Sequence, residues 1–143
     1  AKKFKIKNIM RICADSPFID PMVLERAIVQ YRKNRFDLVS NTKPRTFPKG
    51  MSVEIFSFDA LKRAYNIAKT KSEKEHVTQV MYKNKRIFNV KSFKSKYTIS
   101  KYKFVLDYPK ELEYLRKIYE NLEKKKIKEK FYLKNLISIA KTI

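Results

Sequence analysis

Two acids in this sequence close strand-like runs, and each is followed by a proline two residues on. Asp15 ends RICAD and precedes S-P. Asp107 ends KFVLD and precedes Y-P. Carboxylates delivered by two strand ends are hard oxygen ligands, the kind that Mg2+ takes while keeping waters and substrate phosphates. The same residue type is also a helix cap or turn former, because an Asp oxygen accepts from nearby backbone N–H groups. The residue pattern leaves both readings open for Asp15 and Asp107. Asp20 differs, since it directly precedes Pro21 and an amphipathic run. That is an N-cap followed by proline at the first helical position.

The rest of the chemistry is narrow. His76 is the only histidine and Cys13 the only cysteine, so a His/Cys metal cluster is excluded. His76 follows Glu75 in the first turns of an expected helix, either as a solvated or structural residue or as a substrate contact. Arg45 and Lys49 stand in the proline-rich loop NTKPRTFPKG, which is either solvated or reaches over a ligand. Arg suits two-pronged recognition of a carboxylate or phosphate. Gly50 is the only glycine, so neither a GxGxxG turn nor a P-loop is written in these residues.

The elements that must position these groups follow from periodicity. Strands are expected at Asn8–Ala14, Phe36–Ser40, Val53–Phe56, Ile87–Phe93 and Tyr102–Leu106. Helices are expected from Pro21 (stripe Val23, Leu24, Ala27, Ile28, Tyr31), from Ser57 (Phe58, Leu61, Ala64, Tyr65, Ala68) and from Pro109 (Leu112, Leu115, Ile118, Tyr119, Leu122). Ser72 with Glu75 makes a capping-box pattern for a helix through Tyr82. Phe131–Lys141 is a last helix, after the charged connector EKKKIKEK. Lys2–Lys5 reads as the tail of a helix already under way. The alternation implies one α/β domain with a largely parallel sheet.

With 143 residues and 43% hydrophobic composition, the chain can bury one core. No apolar run approaches the roughly 20 residues of a membrane span. The start has no signal-peptide pattern, and a single cysteine fits a reducing cytoplasm. The net charge of +21 attracts polyanions. Of the 35 basic residues 8 are Arg, which leaves 27 Lys, and the Lys are spread along the whole chain rather than gathered on one segment. Solvated lysine faces therefore account for the charge better than a basic nucleic-acid-binding module, the rival that composition suggests.

RICADSPFIDP, SNTKPRTFPKG, SEKEHVTQVMY and FVLDYPKELEYLRKIY, in that order, resemble the SpsF (spore-coat polysaccharide biosynthesis) family of cytidylyltransferases. These are relatives of CMP-KDO synthetase and acylneuraminate cytidylyltransferase. The resemblance covers nearly the whole chain. It implies a nucleotide-diphospho-sugar transferase fold, Rossmann-like with a mostly parallel sheet, of which residues 1–143 would be the C-terminal two-thirds. It implies CTP and Mg2+, transfer of CMP to a sugar or sugar acid with release of pyrophosphate, a homodimer, and a role in surface polysaccharide synthesis. By position Asp15 and Asp107 match the family's two metal-site acids. Asn41, Arg45 and Lys49 would lie near the sugar, and Glu75 with His76 match its REH-type segment. The sequence departs from the family at Lys74, at Lys110 and Glu111 after the proline, and at Cys13 and Ser16. The absent glycine- and arginine-containing nucleotide-binding segment implies that this chain alone binds CTP poorly. An inactive fragment of such an enzyme is the further alternative.

Overall fold

The structure, a computed structural model, describes every residue of the chain except 77 and 98. After a 3-10 turn at Lys2–Phe4, the described residues form strands β1 (Asn8–Arg11), β2 (Leu38–Ser40), β3 (Glu54–Ser57) and β4 (Val90–Ser92). The helices are α1 (Pro21–Lys33), α2 (Phe58–Ile67), α3 (Lys71–Glu75), α4 (Thr78–Lys83), α5 (Pro109–Lys124) and α6 (Leu133–Ala140).

One sheet runs in the order β1-β3-β2-β4. β3 pairs antiparallel with both β1 and β2, while β2 and β4 are parallel. The α/β class holds, but the sheet is mixed rather than mostly parallel. β1, β2 and β4 share one direction and β3 alone opposes them. A parallel neighbour needs a crossover element, whereas a loop suffices to reverse the chain. α1 provides the crossover between β1 and β2. Between β2 and β3 stands only the loop 41–53, and the chain turns back.

Alternation along the strands builds two cores. Ile55 of β3 and Val39 of β2 face α1, α5 and α6, where Val23, Ala27, Ile118, Leu122, Leu136 and Ile139 are buried. Their neighbours Phe56 and Leu38 face α2 and α4, against Ala60, Ala64, Val80 and Met81. Each fully buried Leu or Ile contributes about 1.5–3 kcal/mol. No helix among the described residues is long and apolar enough to cross a membrane.

Several expectations shift. β1 stops at Arg11 and is half-exposed, because it lies at the sheet's edge with β3 as its only strand partner among the described residues. The helix expected from Ser72 to Tyr82 is two short helices, broken at His76; Val77 within it lies outside the described residues. Its capping box is Thr70 with Glu73, which accepts from the N–H of Lys69 and Thr70. The segment expected as a strand at Tyr102–Leu106 makes a single bridge, Lys103 to Lys49, and docks on loops rather than in the sheet. Asp20 does cap α1, accepting from Met22 N–H at 2.7 Å. Its second oxygen accepts from Leu133 N–H at 2.7 Å, so one buried carboxylate starts both α1 and α6.

Candidate active site

Three segments far apart in sequence meet beyond the ends of β1 and β2. The first is the turn after β1, closed by Ser16 N–H on Cys13 C=O at 3.2 Å. Ser16 is buried, and its hydroxyl donates to Asp15 Oδ1 at 3.0 Å, which orients that carboxylate at the surface.

The second is the loop after β2. Asn41, fully buried, holds its shape: its Nδ2 donates to Met51 C=O at 2.6 Å and its Oδ1 accepts from Val53 N–H at 3.0 Å. Arg45 donates to Ser52 Oγ at 3.2 Å. Gly50 has φ +90°, and a Cβ there would stand 2.1 Å from Phe104 O. Only glycine fits this position, for its conformation and for the close approach.

The third is 103–107, stitched to the other two by its main chain. Phe104 N–H donates to Lys49 C=O at 2.8 Å, and Leu106 N–H donates to Asp15 C=O at 2.9 Å. Asp107 is thereby placed beside Asp15. The start of α5 fixes it further. Glu111, in the first turn, reaches back to accept from Asp107 N–H at 2.5 Å and Tyr108 N–H at 2.9 Å, and it takes a hydrogen bond from the Lys103 ammonium. Lys103 and these two N–H groups hold the Glu111 carboxyl down at about 2.

A pocket of about 180 Å³ opens where the segments meet, lined by Asp15, Asp107, Arg45 and Lys49 with Cys13, Ser16, Gly50, Ser52 and Val105. That is below the roughly 300–1,000 Å³ of sites that enclose a whole small molecule. The space suits a reacting group, such as phosphate oxygens with a cation, rather than an entire nucleotide. Among the described residues no three His, Cys, Asp or Glu side chains gather as a metal cluster. Two carboxylates still fit Mg2+, which takes one or two from the protein and completes its sphere with water and phosphate.

Of the seven residues singled out in the sequence, four line this pocket: Asp15, Asp107, Arg45 and Lys49. Asn41 braces the loop with both ends of its amide. Glu75 and His76 are exposed at the end of α3 and do not line the pocket. Sequence reasoning missed the roles of Glu111, Lys103 and Gly50. Glu111 carried a signal, as an acid three residues after the N-cap Tyr108, half of a capping box.

A polar network joins the ends of β1 and β3 to α4. Glu54 pairs with Arg11 at 2.8 Å and accepts from the Tyr82 hydroxyl at 2.9 Å, and Tyr82 lies 2.9 Å from the Thr42 hydroxyl. Burial first, and then the charge of Glu54, push the Tyr82 hydroxyl well above its ordinary range, so it stays a proton donor.

Comparison with known proteins agrees with this architecture. The fold matches a solved cytidylyltransferase from Leptospira borgpetersenii serovar Hardjo-bovis with a TM-score of 0.88 and 26% identity, over 99% of this chain and 59% of that one. An uncharacterized protein of Methanocaldococcus jannaschii is 38% identical over 82 residues, which are 57% of this chain and 32% of its own length. The chain thus spans about three-fifths of that structure, and its match takes in about a third of that relative. The family profile described as Cytidylyltransferase matches residues 1–141. With nearly every residue inside that match, the chain belongs to the cytidylyltransferase family.

Proposed function

We propose that the chain is part of an enzyme that transfers CMP from CTP to a sugar or sugar acid with release of pyrophosphate. The supporting observation is the convergence of Asp15, Asp107, Arg45 and Lys49 on one small pocket in a member of this family. A sugar hydroxyl attacks the α-phosphorus in line, the bond to the bridging oxygen breaks, pyrophosphate departs, and the hydroxyl proton passes to solvent. Asp15 and Asp107 are the residues that would hold Mg2+. When bound, that ion neutralises and orients phosphate oxygens. Arg45 and Lys49 face the same space and supply cationic donors to a phosphate or to the carboxylate of a sugar acid. Such a reaction asks for positioning and charge rather than a protein nucleophile, in keeping with a pocket that has no histidine. Asn41 serves the site through the loop it braces. Glu75 and His76, exposed at the end of α3, are the remaining candidates for sugar contact. Surface polysaccharide synthesis and a homodimer belong to the same proposal on the sequence resemblance alone, and a cytoplasmic location on the single cysteine.

The test is pyrophosphate release from each of the four nucleoside triphosphates with Mg2+ and a panel of sugar acids, using the polypeptide as its gene encodes it. Release with CTP that depends on one sugar is the expected result. Asp107→Asn is expected to lower it by at least about 100-fold, the upper end of what losing an outer-sphere partner of a metal costs. No release from any combination by a folded polypeptide overturns the activity. Undiminished Mg2+-dependent release from Asp107→Asn overturns the metal assignment.

A further inference from the structure

Lys103 stands between two acids and is shared unequally. Its ammonium is hydrogen-bonded to Glu111 Oε1, while Asp107 Oδ2 is 3.6 Å away. The first is a direct contact. The second is an ion pair without a hydrogen bond. The two carboxylates also differ in setting: the Asp107 side chain is 44% exposed at the pocket mouth, and that of Glu111 is 11% exposed. The other oxygen of Glu111 is occupied by the N–H groups of Asp107 and Tyr108. Glu111 therefore cannot swing away without releasing the start of α5.

Removal of the Glu111 charge has a definite consequence. Lys103 is carried by a segment whose main chain is fixed by Phe104 N–H on Lys49 C=O. With no carboxylate at Glu111, the nearest acid left to its ammonium is Asp107. The trio of Asp107, Glu111 and Lys103 carries one net negative charge. Asp107 and Lys103 alone carry none, and a cation arriving at Asp107 would have to displace an ammonium.

We propose that Glu111 is a positioning residue that draws the Lys103 ammonium off Asp107 and so keeps the Asp107 carboxylate open to a divalent cation. The inference rests on the reading of Asp107 as a cation ligand. A residue that orients or frees a ligand without touching the metal typically carries about 10–100-fold in metal affinity.

The experiment is direct binding of Mn2+ alone, followed by the loss of the free-ion signal in electron paramagnetic resonance. It uses the polypeptide as its gene encodes it and the variants Glu111→Gln, Glu111→Gln/Lys103→Met, Lys103→Met and Asp107→Asn. Circular dichroism checks that each is folded. Glu111→Gln is expected to weaken Mn2+ binding at least about 10-fold. Removing Lys103 in the same chain is expected to restore it to within about 3-fold of the parent, since no ammonium is left to occupy Asp107. Unchanged affinity in Glu111→Gln overturns the proposal. So does a double variant as weak as the single one, because Glu111 would then act only through the backbone it caps. Should Glu111→Gln fail to fold, Lys103→Met decides: equal or tighter binding supports the proposal and weaker binding overturns it. Unchanged binding in Asp107→Asn overturns the reading of Asp107 itself and is separable from the other outcomes.

Discussion

At the scale of single residues, Asn41 shows how a side chain can serve a site from below. It is 1% exposed, and its amide satisfies one buried carbonyl and one buried N–H. Replacing it by alanine leaves both main-chain groups without partners, at about 1–3 kcal/mol each. Asn41→Ala is expected to cost about 2–6 kcal/mol, seen as a lower urea midpoint with an unchanged slope. The sequence marks Asn41 only as part of a polar loop, because its partners at Met51 and Val53 lie across that loop. Asp20 makes the same point from the other side. Its cap on Met22 is local and legible from Asp-Pro and the stripe behind it. Its bond to Leu133 is not, because nothing in the sequence joins residues so far apart.

At the scale of elements, the α3 cap is sensitive to acid. The N–H of Lys69, then the Lys83 ammonium, then the N–H of Thr70 hold the Glu73 carboxyl down at about 2, from 4.5 in an open chain. A carboxyl depressed in the folded state stabilises above its unfolded value and loses that contribution as pH falls through its folded value. The advantage in thermal midpoint of the parent over Glu73→Gln should be full above about pH 4.5 and gone by about pH 2. Thr70…Glu73 and Ser72…Glu75 are overlapping capping boxes in one stretch of sequence. The choice falls to the register that also reaches Lys83 of α4, a contact that local pattern does not contain. β3 teaches more. The loop between β2 and β3 is legible in the sequence, and the absence of a helix there favours a reversal of direction. Alternation elsewhere along the chain concealed it.

At the scale of the whole molecule, charge acts on everything at once. A net +21 on 143 residues repels itself in the compact state more than in an expanded chain. Raising NaCl from 10 mM to 300 mM shortens the screening length from about 30 Å to under about 8 Å. The thermal midpoint should therefore rise with salt over that range, as scanning calorimetry would record, and a fall would contradict the self-repulsion argument. Asn41 and Glu111 brace the pocket's loops with their side chains, but the joints between its three segments are made by the main chain. Leu106 is tied to Asp15, and Phe104 to Lys49, by peptide groups alone. Location and chemistry are consequently separable in this frame. A different side chain at 15 or 107 inherits the address without paying for it in scaffold geometry. The pair is a socket for redesign: Asp15→His with Asp107→His would present imidazoles from the same two points and turn its preference from hard ions toward zinc or copper.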